Sequence, residues 1–288
     1  MQASRVATRI LSTLLVTTGL AVGQTAPRQP DGLELLGNVE QTYRAMTTYS
    51  AKSTAAVEMN GPNMQTKIEI PATFSADSSG RFRTETKGMF GTVMVFDGDT
   101  MWFYMPAQNK YSKSSVGKQT ASAGATAAAL GGTAFGGGSI ESYKNLTTNV
   151  KEAKVLRSEA LNIGGSEVQC WVISVDYEVP DVSDVGPNSD AQSKSEQSHD
   201  TVAFDLTALS LLRTLWVDKD HYLVYREDST NKMTMPGQSG PTKISQSTKY
   251  ENIVVDQPLP EDTFNFVPPP GATEMNSPLS TAKRPPKQ

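Results

Sequence analysis

The chain of 288 residues has a formal net charge of −4, with 26 basic and 30 acidic side chains. This balance argues against a nucleic-acid partner, which normally requires a basic surface. The length suffices for one large β domain or two small ones. The only cysteine, Cys170, cannot form an internal disulfide, and its apolar neighbours in the sequence favour a buried thiol.

The N-terminus has the pattern of a secretory signal. Arg5 and Arg9 form a basic region, and residues 10–23 form an uncharged, mostly apolar run. This run is too short for a membrane-spanning helix, which needs roughly 20 residues. We therefore expect residues 1–23 to be a cleaved signal peptide and residues 24–32 a flexible N-terminus. A bacterial lipid anchor needs a cysteine directly after the cleavage site, where this sequence has none, so we expect a soluble periplasmic protein.

One amphipathic helix is predicted over residues 33–48, because apolar residues recur there at helical spacing. Asp31 or Gly32 can cap its start. The segments that follow alternate or are apolar throughout and are separated by turn sequences, which predicts ten or eleven strands in an antiparallel meander. Pro71 suggests an edge strand or a bulge. The predicted strands are residues 49–59, 65–76, 81–87, 92–96, 101–105, 110–114, 151–163, 166–179, 210–218, 221–230 and 243–255.

Two segments interrupt the strand pattern. Residues 116–140 are rich in Gly, Ala, Ser and Thr, and residues 181–200 are rich in Ser and Asp, so both are poor material for a core. The tail, residues 276–288, is proline-rich and predicted to be disordered. We expect one β domain over residues 33–275 that contains both segments as insertions.

Two adjacent predicted strands, residues 93–96 and 101–105, are apolar on both faces. One face can line a core under the helix, and the other must be covered by a second sheet, a lid or a ligand. A tightly packed sandwich core remains the alternative, and the sequence leaves open which face would line a cavity. The candidate ligand-binding residues are the large apolar side chains of these and other strands: Phe82, Met94, Phe96, Met101, Trp102, Phe103, Tyr104, Met105, Trp171 and Trp216.

Residues 95–106 read VFDGDTMWFYMP, and residues 264–272 read FNFVPPPGA. These two stretches resemble the DG-x-x-x-W-x-Y-x-P hairpin and the closing F-x-F-x-P-P-x-G-V segment of the LolA-like family of periplasmic lipoprotein carriers. The helix that leads into the first strand and the Gly80–Arg83 turn match in position. The resemblance covers residues 33–115 and 150–275.

The resemblance implies a mainly β fold with few helices, an incomplete and strongly curved antiparallel β-barrel closed by the N-terminal helix and by lid segments. It also implies a non-enzymatic carrier that holds a lipid or an acylated lipoprotein in an apolar cavity. Such a carrier is expected to be a monomer that exchanges cargo with membrane donor and acceptor proteins. Arg81 and Arg83 are the nearest candidates for the family's cavity arginine. The alternative is an envelope-stress sensor or regulatory protein on the same fold, with the two insertions as its partner surface.

Enzymatic and metal-binding patterns are weak. The two histidines, His199 and His221, stand beside aspartates, but no G-x-S-x-G motif supplies a nucleophile. Asp97 and Asp99 flank a glycine, as in a tight hairpin turn, and the other ligands of a calcium loop are missing. We therefore expect no catalytic residue, no metal and no cofactor.

Overall fold

The computed structural model describes residues 29–62, 64–88, 91–115, 140–178, 211–234 and 240–275. The predicted signal peptide, the tail that the sequence predicts to be disordered and the predicted insertion at 181–200 lie outside these residues. So does the insertion at 116–140, apart from Ile140. No helix within the described ranges is long and apolar enough to cross a membrane.

The described residues form two helices, a 3-10 turn at Pro106–Gln108 and twelve strands. The helices are α1 (Gly32–Ala45) and α2 (Ile140–Tyr143). The strands are β1 (Thr48–Gly61), β2 (Met64–Asp77), β3 (Phe82–Thr86), β4 (Val93–Phe96), β5 (Thr100–Met105), β6 (Lys110–Ser115), β7 (Val150–Ile163), β8 (Ser166–Tyr177), β9 (Leu211–Asp218), β10 (Val224–Thr234), β11 (Pro241–Val255) and β12 (Thr273–Glu274).

Helix α1 begins where the sequence predicts and ends earlier. The Asp31 carboxylate accepts hydrogen bonds from the backbone N–H groups of Leu33 and Glu34, as an N-cap does. At the other end, Met46 has extended backbone angles, and β1 begins at Thr48. The predicted end at residue 48 is therefore wrong, because the helical apolar spacing runs directly into residues that pair in the sheet.

All twelve strands form one sheet in the order β12-β6-β5-β4-β3-β2-β1-β11-β10-β9-β8-β7. Neighbouring strands are antiparallel except β12, which runs parallel to β6. The two terminal strands in this order, β12 and β7, do not pair with each other in the described part of the chain. The predicted fold class, an incomplete and strongly curved antiparallel β-barrel with an N-terminal helix, is confirmed. The described residues form twelve strands where the sequence predicts ten or eleven.

Pro71 lies in an interior strand but faces a local gap. The carbonyl of Pro71 accepts a hydrogen bond from the N–H of Lys87, so the proline nitrogen also points towards the β3 side. The last residue of β3, Thr86, is already opposite Ala72. The missing N–H therefore falls beyond the end of β3, which makes this position a local edge.

Helix α1 packs on one face of the sheet, which we call the inner face. Its buried side chains, among them Leu36, Val39 and Tyr43, form the main core with inner-face residues from both halves of the sheet, such as Phe74 and Leu215. At the helix start, Gly32 lies so close to β7 that a Cβ atom there would be 2.5 Å from the Ala153 carbonyl oxygen. α1 thus lies mainly over the β7 end of the strand order.

Candidate functional site

Six of the ten predicted ligand-binding residues lie side by side on the inner face at the other end of the sheet. In the strand register Phe82 pairs with Phe96, Phe96 with Met101, and Met94 with Phe103. Met105 follows two positions after Phe103 in β5 and therefore points to the same face. We call this set the inner apolar patch: Phe82, Met94, Phe96, Met101, Phe103 and Met105.

A row of aromatic rings joins this patch to the main core. The ring centroids of Tyr49 and Phe74 are 5.9 Å apart, those of Phe74 and Phe82 are 6.5 Å apart, and those of Phe82 and Phe96 are 6.0 Å apart. Phe82 also packs against the core cluster that includes α1. The patch is therefore continuous with the core beneath the helix.

The patch is less buried than the core that it continues. Met101 is buried, at 5% exposure, whereas the other five side chains are only partly buried. On β6 the inner positions opposite Phe103 and Met105 are Ser112 and Lys110, so the apolar surface ends there. A partly exposed surface of phenylalanine and methionine side chains suits an apolar ligand of variable shape, because the thioether chain adapts its conformation.

Two other candidates, Trp102 and Tyr104, lie in β5 on the outer face of the sheet, opposite the inner apolar patch. Both rings contact Phe266, with centroid distances of 5.6 Å and 5.7 Å. The indole N–H of Trp102 donates to the Asp97 carboxylate, and the Tyr104 hydroxyl donates to Asn109. These two side chains fasten the segment after β11 to the sheet and are not part of the inner apolar patch.

The tryptophans of β8 and β9 are divided between the two faces. Trp171 lies on the inner face beside the main core, with the Lys219 ammonium 4.1 Å from its ring centroid. Trp216 is on the outer face, where the Arg226 guanidinium lies 4.2 Å from its ring centroid. Both are far from the patch in the strand order, so neither belongs to it.

The structure places neither predicted cavity arginine on the inner face. Arg81 pairs with Asp77 at the turn before β3, and Arg83 pairs with Glu85 on the outer face. The inward arginine is instead Arg213 of β9, which the sequence reasoning missed. Arg213 points to the same face of β9 as the buried residues Leu215 and Val217, because side chains two positions apart share a face. A charged residue at one of these apolar positions is the sequence signal that could have identified Arg213 as inward-facing.

Arg213 forms a bidentate ion pair with Glu227 of β10. Burial alone would lower the pKa of Arg213, but the Glu227 charge and hydrogen bonds raise it above its usual value. The Tyr143 hydroxyl donates to the same carboxylate at 2.8 Å and lies 2.9 Å from the Tyr250 hydroxyl. Burial, and then the charge of Glu227, raise the pKa of Tyr143. Because each charge is satisfied by the other, we interpret this network as structural.

The histidine in the described ranges has a structural role in a turn. The carboxylate of Asp218 accepts from the N–H of His221 and lies 2.8 Å from its Nδ1 atom, while the imidazole is largely exposed. No serine or cysteine is bonded to this imidazole in the described residues. Within those ranges no group of three or more His, Cys, Asp or Glu side chains is arranged to hold a metal ion. His199 lies outside them.

Comparison with known proteins found similarity only among solved structures. No family model and no curated protein matches the chain. An uncharacterized conserved protein from Thermus thermophilus is 12% identical, with a TM-score of 0.41, over 84% of this chain and 96% of that one. A LolA superfamily protein from Nitrosomonas europaea is 11% identical, with a TM-score of 0.32, over 83% of this chain and 99% of that one.

A third similar structure is the MucA/MucB complex of Pseudomonas aeruginosa, at 12% identity and a TM-score of 0.37, over 82% of this chain and 61% of that one. The superfamily that the sequence resembles is thus represented among the structural neighbours. These similarities are distant and assign no function to this chain.

Proposed function

We propose that this protein is a non-enzymatic carrier that binds the acyl chain of a lipid or lipidated protein on the inner apolar patch and transports it through the periplasm. The observation that carries the proposal is a continuous group of phenylalanine and methionine side chains, on three neighbouring strands, that stays partly exposed on the inner face. Apolar surface of this kind is normally covered by a binding partner.

The physical gain from such binding comes from the hydrophobic effect. Each methylene group that leaves water contributes about 0.8 kcal/mol. An acyl chain therefore leaves a membrane for water only rarely, and a protein surface that replaces the bilayer lowers this barrier. The patch side chains carry no charge, so covering them with an acyl chain does not bury an unpaired ion.

The test is binding of dansyl-labelled undecanoic acid to the purified protein, followed by the dansyl fluorescence. In the variant Phe103→Asp a carboxylate stands in the middle of the patch, and we expect affinity to fall at least about tenfold. The matched control is Val254→Asp, because Val254 is an apolar residue on the outer face with 43% exposure. Equal affinity in the two variants, with both folded, would rule out the patch as the binding site.

Native mass spectrometry of protein purified from its own periplasm identifies the cargo independently. The proposal predicts a co-purified lipid or acylated peptide. An apo mass in every preparation, together with no uptake of the dansyl probe, would refute it.

A second candidate function is that of a stress sensor or other regulatory protein that binds a protein segment. It is favoured by the edge of β7 that faces away from β8. In the described ranges no strand lies beside this edge. Gln29 donates to the Val155 carbonyl and α1 starts beside Ala153, so the available stretch is residues 157–163. An extended peptide can pair with such an edge. This candidate predicts a periplasmic protein partner that is captured by the native chain and lost on Ala160→Pro.

A further inference from the structure

The segment after β11 crosses the outer face of the strands that carry the inner apolar patch. We call residues 256–275 the C-terminal strap. It starts at Asp256, whose carboxylate accepts hydrogen bonds from the N–H and the hydroxyl of Thr47. It ends in β12, where the N–H groups of Thr273 and Met275 donate to carbonyls of Asn109 and Tyr111 at the β6 edge.

Between its two ends the strap is held by a few side-chain contacts. Phe264 is buried under the Arg81 guanidinium, which lies 4.8 Å from its ring centroid. Arg83 of β3 donates to the Thr263 carbonyl at 3.4 Å. Phe266 contacts the two outer aromatic rings of β5. The strap therefore ties β3, β5 and β6 together from the outside.

A surface groove lies beside the centre of the strap. This groove of about 620 Å³ lies beside the Phe266 ring, lined on the sheet side by residues that include Val93 and Tyr104 and on the strap side by residues that include Pro269. Val267, the next residue, is 72% exposed. At this point the strap therefore contacts the sheet through the Phe266 ring, which packs on Trp102 and Tyr104.

The same strand presents the strap contact on one face and the patch on the other. In β5, Trp102 and Tyr104 face the strap, and Met101, Phe103 and Met105 face the inner side. Side chains alternate along a strand, so any shift of β5 against β3 or β6 moves both sets together. An attachment that fixes these strands from outside also fixes the spacing of the patch residues inside.

We propose that Phe266 is a positioning residue for the inner apolar patch, and that the strap sets the affinity and residence time of the acyl ligand from the opposite side of the sheet. This inference rests on the proposed function. The strap holds β3–β6 in the curvature that brings the patch side chains around the ligand. These side chains are therefore already ordered before the ligand binds, and binding loses less conformational entropy. Loss of the Phe266 contact relaxes this curvature and shortens the residence time of the ligand.

The test compares dansyl-undecanoic acid binding in the native protein, Phe266→Ala, Phe266→Tyr and Val267→Ala. Phe266→Ala removes the ring contact without touching the ligand, and we expect affinity to fall about fivefold or more, with a faster dissociation rate and unchanged stoichiometry. Phe266→Tyr retains the ring and should restore native binding. Val267→Ala, at the adjacent exposed position, should bind as the native protein does.

A general loss of stability is separated from positioning by Gly32→Ala, which destabilises the fold at the β7 end of the sheet. It should lower the melting temperature without changing the dissociation rate of the probe. If Phe266→Ala does not fold, Arg83→Ala carries the test, because it removes the bond to Thr263 and leaves the inner face intact.

The outcomes distinguish the two claims. If the native protein does not bind the probe, the proposed function fails and this inference falls with it. If the native protein binds and the folded Phe266→Ala variant binds with the same affinity and rate, only the inference is overturned. The same holds if Gly32→Ala and Phe266→Ala change the dissociation rate equally.

Discussion

Replacing Glu227 by Gln should strongly destabilise the fold, because it leaves the Arg213 charge buried without a counter-ion. The two guanidinium–carboxylate distances are 2.7 Å and 2.9 Å, and the side chains are 11% and 8% exposed. Breaking a buried pair by removing one partner costs about 3–5 kcal/mol. This is a large share of the stability of a typical domain, about 5–15 kcal/mol.

A matched control lies within β10 on the outer face, at the two positions that flank Glu227 in the sequence. Arg226 and Asp228 form a bidentate pair with nearly the same distances, 2.9 Å and 2.7 Å, but their side chains are 26% and 34% exposed. An ion pair that remains in contact with water contributes about 0–1 kcal/mol. Asp228→Asn should therefore lower the free energy of unfolding by less than about 1 kcal/mol.

Urea unfolding followed by tryptophan fluorescence measures both variants. At a typical 2–4 °C per kcal/mol, Glu227→Gln should also lower the melting temperature by about 10 °C. The double variant Arg213→Met/Glu227→Leu removes both charges and should recover most of the loss. Equal costs for Glu227→Gln and Asp228→Asn, within experimental error, would show that burial of the inner pair does not determine its energetics.

Three further predictions concern single positions. Gly32→Ala should destabilise the protein, because the added Cβ would lie 2.5 Å from a β7 carbonyl oxygen. At Gly37 an added Cβ would meet no neighbouring atom within 4 Å, so Gly37→Ala should raise the free energy of unfolding in a urea titration by about 0.5–1 kcal/mol. Burial, and then the charge of Asp218, raise the pKa of the Cys170 thiol to about 12. Iodoacetamide at pH 8 should therefore label this thiol only after denaturation. Rapid labelling of the native protein would contradict this prediction. Burial alone would raise the pKa of Asp77, but hydrogen bonds and the Arg81 charge lower it. The ionised carboxylate should therefore stabilise the fold fully above about pH 4, and this stabilisation should be lost as the pH falls below that value. A urea midpoint that does not change with acidification would contradict this prediction.

The strand pattern was predictable because this sheet alternates strictly where water reaches one face. In β1 the buried residues Ala51, Ala55 and Val57 alternate with exposed Lys52 and Glu58, and alternation of that kind indicates a strand directly. The two-residue turn Gly164-Gly165 predicted the hairpin of β7 and β8 in the same way. The last strand, β12, was missed because two residues, paired parallel to β6, leave no periodic pattern in a sequence.

The division of the candidate site between the two faces was not predictable from the sequence. Met101–Met105 is apolar on both faces, and its alternation is the same whether the ligand or the strap covers a given face. Which face of β5 is covered by the strap depends on the position of Phe266. This residue follows Tyr104 by more than 150 residues in the sequence and contacts it only because the strap crosses the outer face. The inward position of Arg213 could be read from its alternation with Leu215 and Val217, but its pairing with Glu227 on the next strand could not.

The most direct test of the central claim is to map where a bound acyl chain lies. The protein would be irradiated with a diazirine-labelled fatty acid, and the labelled residues would be identified by mass spectrometry. The account predicts labels on inner-face residues of β4 and β5, above all Met94, Phe103 and Met105, and competition by unlabelled fatty acid. Labels confined to the outer groove beside Phe266, or spread over outer-face residues without competition, would contradict it.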